Sequence, residues 1–432
     1  MRASVVAALI VGALLRIAVL PLGVPVVDDS WRAWSYQGAR HGPWNLYGPK
    51  GHTVRFGGID APVVYPPLAL DELAIVGRVH MAMHGGRFEN DIALTRTIKG
   101  AIVILDGVLS ALLVLTVRRA GRPDRAWWAA MAYWANPAAL MITTLGYIDV
   151  FVAIPAVGAV AAASCGRPWL AGALLAAAVL TKPHGLFVAP VVGLALWKAG
   201  AAAARLRRVG QGVCASVIAA TIVVAPVIAV GKGYQMLRSV AVLAGHDMLS
   251  ALAFNIWWIV SYLIMAAGSR GEGVRAALTA RAEIVTHVDA MAHGVPNPRV
   301  IGLILLAAAV IWALRTARHA RDPGLHAALG AFVVVAYFTL SVQVHENHFF
   351  LALPLMAIAA ALRPAFAPVF AALSVAFALN LYLPFGIHGD GAPDFVWSLT
   401  IIDPSVVIAA VTCGLFAWLT VVFARECAHA HA

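Results

Sequence analysis

Apolar stretches of roughly 15–22 residues recur from one end of this chain to the other, each long enough to cross a hydrocarbon core of about 30 Å as a helix. The pattern predicts spans over 5–22, 98–117, 126–145, 149–163, 169–180, 186–197, 213–230, 300–314, 327–340, 349–362, 365–383 and 400–423. The segments 169–180 and 186–197 are short. Thr181-Lys182-Pro183-His184 interrupts them, and such irregular backbone is tolerated at membrane depth only where it is buried in protein or lines a cavity.

The connections give the orientation. Arginines cluster at 118–125, 205–208 and 315–321, the positive-inside signature, which places those loops in the cytoplasm. Between the second and third clusters the chain must cross an even number of times, yet three apolar runs lie there. The run 251–268 contains Asn255-Ile256-Trp257-Trp258 and is read as a re-entrant or interfacial helix, with the tryptophans as interface anchors. The result is an all-α polytopic protein of about 12 transmembrane helices. Both termini are inside, the external loops cover about 23–97 and 231–299, and residues 1–432 form a single membrane domain. No internal repeat is visible. The first span is read as uncleaved, because Arg16 interrupts it and no small-residue cleavage site precedes Asp28.

Composition sharpens this class and excludes others. The 432 residues are 62% hydrophobic and 12% charged, with a mean hydropathy of +0.84, so a soluble domain is excluded. The net charge of +11 sits in the short loops between spans and does not form a nucleic-acid surface. Four scattered cysteines without a CxxC pair indicate neither a disulfide framework nor a metal site.

Four polar islands fall on the external side of this topology. The first loop has Asp28-Asp29-Ser30-Trp31-Arg32, Asp60 and Tyr65-Pro66-Pro67-Leu68. Next come Asn136-Pro137 with Gly146-Tyr147-Ile148-Asp149, the break at Lys182-Pro183-His184, and Gln343-Val344-His345-Glu346-Asn347-His348. Acids and cations gathered at one membrane face suit attack by a hydroxyl on a membrane-borne phosphate ester. A carboxylate takes the acceptor proton, and cationic side chains neutralise the departing phosphate.

The ordered set of Asp28/Asp29, Tyr65-Pro66-Pro67-Leu68, Asn136-Pro137 with Gly146-Tyr147-Ile148-Asp149, Lys182-Pro183-His184, Asn255-Ile256-Trp257 and Gln343-Val344-His345-Glu346 resembles the GT-C glycosyltransferases. It is most similar to bacterial mannosyltransferase-like members and to the dolichyl-phosphate-glucose glucosyltransferases of the N-glycan pathway. The resemblance covers about four-fifths of the chain by the span of these motifs. It implies an inverting transfer of a hexose, first of all mannose, from a polyprenyl-phosphate sugar to a lipid or glycan acceptor. The active site would be on the extracytoplasmic face of the cell's inner membrane.

The catalytic base implied is Asp28 or Asp29, which spacing does not separate. Lys182, His345 and Arg32 are expected at the donor phosphate, and Glu346, Asp149, His184 and Tyr65 at the substrate. Arg55 is a further phosphate candidate, on charge alone. Helix capping is a competing role for Asp149. The acid that often precedes Tyr-Pro-Pro in the family is displaced here to Asp60. No cofactor is required, and a divalent metal is compatible with the chemistry without being demanded by it. No nucleotide-binding fingerprint is present, consistent with a lipid donor. A transporter or flippase for a lipid-linked or anionic solute is the alternative; it would need polar islands on both faces, and the cytoplasmic loops contain mostly arginine.

Overall fold

The first apolar segment folds as α1 (Ala3–Val19), and the polar stretch after it is largely helical rather than loop. The structure, a computed structural model, describes residues 3–22, 25–245, 247–287 and 297–430. Within the first loop, α2 (Pro25–His41) and α3 (Pro67–Met83) pack against each other. Gly77 permits the approach, since a Cβ there would lie 2.2 Å from the Ser35 carbonyl oxygen. Between them, β1 (Thr53–Phe56) and β2 (Ile59–Pro62) form an antiparallel hairpin whose turn, Gly57-Gly58, takes positive φ at both residues.

The helices α4 (Ile92–Arg119), α5 (Pro123–Trp134) and α6 (Pro137–Leu145) follow. The expected continuous span over 126–145 is corrected: it breaks at Asn136. Pro137 has no N–H to continue α5, and the Asn136 side chain accepts from the amides of Ala138 and Ala139 to start α6. Then come α7 (Asp149–Ser164), α8 (Pro168–Thr181), α9 (Ala189–Lys198), α10 (Arg205–Ala229) and the short α11 (Gly233–Ala244).

A two-residue strand, β3 (Ser250–Ala251), precedes α12 (Ile256–Gly268) and α13 (Val274–Leu278). At 13 residues α12 is too short to cross a bilayer unaided. Its tryptophans do not serve as interface anchors. Trp257 and Trp258 are buried, and their indole N–H groups donate to the Leu340 carbonyl and to Ser405 Oγ, because a buried indole needs a partner. The chain closes with α14 (Pro298–Thr316), α15 (Pro323–Leu340), β4 (Val344–His345), α16 (Ala352–Leu362), α17 (Ala367–Phe385), α18 (Asp394–Trp397) and α19 (Pro404–His429).

Six of the described helices are long and apolar enough to cross a membrane by themselves: α4, α10, α14, α15, α17 and α19. Helices α1, α7, α8, α12 and α16 are shorter and apolar. The helix α15 is enclosed almost all round, whereas α10 and α14 turn Ile222, Leu303 and Ile304 outward, each more than half exposed. Rows of bare aliphatic side chains on long helices are stable where lipid covers them. The enclosed α15 ends at Leu340, and the polar loop that follows it is where the site forms.

Candidate functional site

A buried polar loop must have its backbone satisfied by protein, and three asparagine side chains and a short strand do much of it. Asn255 caps α12 by accepting from the Trp257 and Trp258 amides, while its Nδ2 donates to the Phe338 and Ser341 carbonyls at the end of α15. Asn380 of α17 accepts from the Phe254 amide and donates to the Glu346 carbonyl. β4 pairs in parallel with β3, and Gln343, at φ +63°, donates its amide to the Leu249 carbonyl. The third asparagine, Asn347, donates its Nδ2 to Asp149 Oδ2 at 2.8 Å.

Asp149 is fully buried as the first residue of α7. It does not cap that helix; Ile148 occupies the cap position without a side-chain hydrogen bond. Its Oδ1 instead accepts from Lys182 Nζ at 2.9 Å. Lys182 stands in the break between α8 and α9, where Pro183 starts a turn of 3-10 helix. His184, in that turn, has Nε2 3.8 Å from the same Asp149 oxygen and makes no hydrogen bond among the described residues. Lys182 Nζ also lies 5.4 Å from the centre of the Tyr65 ring, which Trp31 and Trp34 of α2 flank at 5.3 Å each. Tyr47 fixes Tyr65 by donating to its carbonyl at 2.8 Å.

On the loop itself, Tyr147 donates its hydroxyl to Glu346 Oε1, and the other oxygen is 3.9 Å from His345 Nδ1. Burial raises the Glu346 pKa to about 7, against the opposing hydrogen bond from Tyr147. Burial, and then the Lys182 charge, lower His345 to about 4, although its side chain keeps about a third of its surface open. At neutral pH His345 is therefore an imidazole and not a cation. His348 Nδ1 accepts from the His345 amide and lies 3.0 Å from the Tyr337 hydroxyl, so its proton belongs on Nε2.

Most of these groups line a cavity of about 720 Å³. Its polar lining is Tyr65, Tyr147, Lys182, His345 and Glu346 with His184, Gln343, Asn347 and His348. Its apolar lining includes Leu186 and Phe187 after the break and Leu237, Val240 and Leu243 of α11. Such a lining can take an anion and hydroxyls together with apolar material.

The sequence-predicted residues divide accordingly. Lys182, His345, Glu346, His184 and Tyr65 all line the cavity, and Asp149 holds Lys182 from behind. Arg32 is not among the lining residues: it donates to Asp29 Oδ1 at 2.7 Å and to Asn90 Oδ1 at 2.8 Å. Asp29 is thereby engaged. Position 28 lies in the first turn of α2, but the Asp28 side chain is outside the described residues. Arg55 is exposed on the hairpin, pairs with Asp60 and is not among the residues that line the cavity.

Tyr147, Asn347, Tyr337 and the α11 wall were not singled out by sequence. Tyr147 lay inside a quoted motif without a role, and Tyr337 looked like one more aromatic in an apolar run. Among the described residues no three His, Cys, Asp or Glu side chains converge as metal ligands. The acids nearest the cavity are committed to protein partners, Asp149 to Lys182 and Asn347, Glu346 to Tyr147.

No family model matches the chain, and no curated protein matches it by sequence. Among the solved structures that resemble it are two crystal structures of ArnT from Cupriavidus metallidurans. The one bound to undecaprenyl phosphate is 15% identical and the apo form 14%. Each has a TM-score of 0.52 and covers 98% of this chain and 77% of that one. At such identity the likeness is one of fold, and the fold is the GT-C-like, all-α polytopic membrane architecture.

Proposed function

We propose that this protein is an integral membrane glycosyltransferase that moves a hexose, mannose before others, from a polyprenyl-phosphate sugar to an extracytoplasmic acceptor in the inner membrane. The observation that carries the reading is the cavity's mixed lining: Lys182, backed by Asp149, with His345 and Glu346 beside it, shares one cavity with Val64, Leu186, Leu237, Val240 and Leu243. A phosphate with a long isoprenoid tail has both characters built in. The solved neighbour of the same fold was captured with undecaprenyl phosphate, a ligand of this kind.

In the proposed reaction an acceptor hydroxyl attacks C1 of the sugar from the face opposite the phosphate. The new C1–O bond forms as the C1–O(phosphate) bond breaks, the electron pair leaves on the polyprenyl phosphate, and the configuration inverts. Lys182 stabilises the charge that gathers on the phosphate, and neutral His345 adds an N–H donor. The hydroxyl proton passes to a carboxylate of α2. Because Arg32 engages Asp29, we assign this base first to Asp28, three residues before the cavity-lining Trp31. Glu346, His184 and Tyr65 are placed around the sugar. No step is routed through a metal.

Purified protein incubated with radiolabelled polyprenyl-phosphate sugars and a membrane extract tests the reading: a mannosyl donor should be consumed and its label should appear on an extractable acceptor. Asp28→Asn should abolish transfer with donor binding retained. Full transfer by the Asp28→Asn/Asp29→Asn double variant would remove the assigned base.

A further inference from the structure

At the end of the bundle opposite the Asp149–Lys182 pair, a groove of about 430 Å³ opens between α4 and α8. Helix α7 packs on both of them. It begins at Asp149 and lines the groove with residues near its other end, whereas α8 ends beside Lys182 and lines the groove near its start. On α4 the lining residues are Leu112, Leu115, Thr116 and Arg119, which share one helix face by their spacing. On the α8 side they are Arg167, Leu170 and Leu174. From each arginine to the deepest leucine is about 10 Å at 1.5 Å per residue, so the two walls match in depth.

The groove is charged at its rim and apolar below. Leu115 and Leu170 are about half exposed, and the inner end reaches Ala162, Ala327 and Ile358, which are buried. Gly158 of α7 keeps the inner part open, since a Cβ there would already stand 3.1 Å from Leu174 Cδ1. The charged side chains of the lining are the two arginines, both exposed, and no acid stands among them. Arg122 and Arg125, in the connection that follows Arg119, share Asp124. No ion pair or side-chain hydrogen bond engages Arg119 or Arg167 among the described residues. The hydroxyls of Thr116 and Ser164 already donate to the Leu112 and Val160 carbonyls, which leaves the guanidinium groups to meet a ligand.

We propose that this groove binds one anionic phospholipid of the leaflet opposite the cavity, its phosphate between Arg119 and Arg167 and one acyl chain along Leu112, Leu170 and Leu174. Each planar guanidinium can present two N–H groups to a phosphate. By its arginine-rich connections that leaflet is the cytoplasmic one, where basic pockets between membrane helices take anionic headgroups. The lipid has no part in sugar transfer. It ties α4 to α8 at the end away from Lys182, whatever reaction the cavity performs. A soluble phosphate ester would leave the aliphatic depth unfilled, and a zwitterionic lipid would leave the two charges unanswered.

The test uses the full-length protein in phosphatidylcholine nanodiscs with phosphatidylglycerol and phosphatidylcholine probes, each carrying a diazirine on one acyl chain, and maps the labelled peptides. The phosphatidylglycerol probe should label α4 around Leu112 and α8 around Leu170 well above the phosphatidylcholine probe. Arg119→Gln/Arg167→Gln should weaken that labelling about thirtyfold, as the loss of two basic groups beside an anionic headgroup does. Arg207→Gln/Arg315→Gln, which removes the same charge from arginines outside the groove, should leave it unchanged. Equal labelling by the two probes would make the groove ordinary lipid-facing surface. Undiminished labelling in Arg119→Gln/Arg167→Gln would take the phosphate elsewhere, and an equal loss in the control pair would trace the preference to bulk charge. Displacement by glycerol 1-phosphate as effective as by unlabelled phosphatidylglycerol would assign the groove to a soluble anion. Each of these four results overturns the proposal.

Discussion

Lys182 Nζ donates to Asp149 Oδ1 at 2.9 Å, and both side chains are shut away from solvent. The pair joins the break after α8 to the start of α7, and the Asn347 amide completes the carboxylate. Its geometry separates two roles. Lys182→Met should lower sugar transfer about a hundredfold or more, as removal of a donor aimed at developing charge does. Lys182→Arg should recover part of that rate, since the charge remains. Measuring undecaprenyl phosphate binding beside transfer decides the matter: binding and rate must both weaken in Lys182→Met if the ammonium meets the phosphate. Transfer at the parental rate would reduce the pair to scaffolding.

Glu346 ties stability to pH. Burial holds its pKa at about 7, against 4.5 for an unperturbed glutamate. Below pH 4.5 the carboxyl is protonated in both folded and unfolded chains. Between 4.5 and about 7 only the unfolded chain gives up the proton, so stability falls as pH rises, and above that window it levels. A shift of this size corresponds to roughly 3 kcal/mol. His345, whose pKa is lowered to about 4, contributes the opposite slope over much of this window, so the Glu346 contribution is read as a difference: in thermal unfolding across pH 4–8 the parent should lose stability relative to Glu346→Gln as pH rises from 4.5 to about 7. A slope unchanged in the variant would move its origin to another group.

Much of this site was readable before any coordinates. Charged and amide side chains at 343–348 stood out because apolar runs flank them, and Thr181-Lys182-Pro183-His184 stood out because proline interrupted a span. Their partnerships were not readable. Asp149 and Lys182 are 33 residues apart, one opening α7 and the other just past the end of α8, and the packing of α7 on α8 brings them together. The Asn136-Pro137 break was written in the sequence as a cap residue followed by proline, yet hydropathy averaged it away. Helices α2 and α3 were hidden for a related reason: polar and aromatic residues are interleaved in α2, and Asp71, Glu72 and Arg78 interrupt the aliphatic run of α3, so neither reads as a span. The tryptophans of α12 misled because residue type says nothing of whether an indole N–H finds a buried acceptor.

A second buried charge pair should govern stability instead of chemistry. Arg16 Nε donates to Asp106 Oδ2 at 3.0 Å, Thr143 donates to the same oxygen at 3.0 Å, and Tyr133 donates to Oδ1. The guanidinium also lies 4.1 Å above the Trp134 ring. The network joins α1, α4, α5 and α6 and touches no residue of the cavity lining. Asp106→Ala should cost about 3–5 kcal/mol, because it strands a buried arginine. The double variant Arg16→Met/Asp106→Leu should recover most of the loss, having no charge left to strand. Unfolding measured on the single and double variants gives the answer, and strictly additive losses would mean that the two side chains do not act as a pair.

The position of Lys182 depends in turn on how closely α8 approaches α10. A Cβ built on Gly172 would lie 2.0 Å from the Gly212 carbonyl oxygen, and Ser216 Oγ donates to the Gly172 carbonyl at 2.8 Å. Gly212 and Ser216 are four apart, the spacing at which small residues let two membrane helices meet backbone to backbone. Gly172→Ala must force the helices apart, at a cost of about 1–3 kcal/mol for an overpacked contact. Because α8 ends at Thr181, beside Lys182, that displacement reaches the reaction centre as well as the fold. Gly172→Ala should therefore lose thermal stability and transfer rate together. Gly107→Leu, a larger side chain placed in open space, should lose neither. Parental stability in Gly172→Ala would show that the crossing has slack, and Lys182 would then owe its place to Asp149 alone.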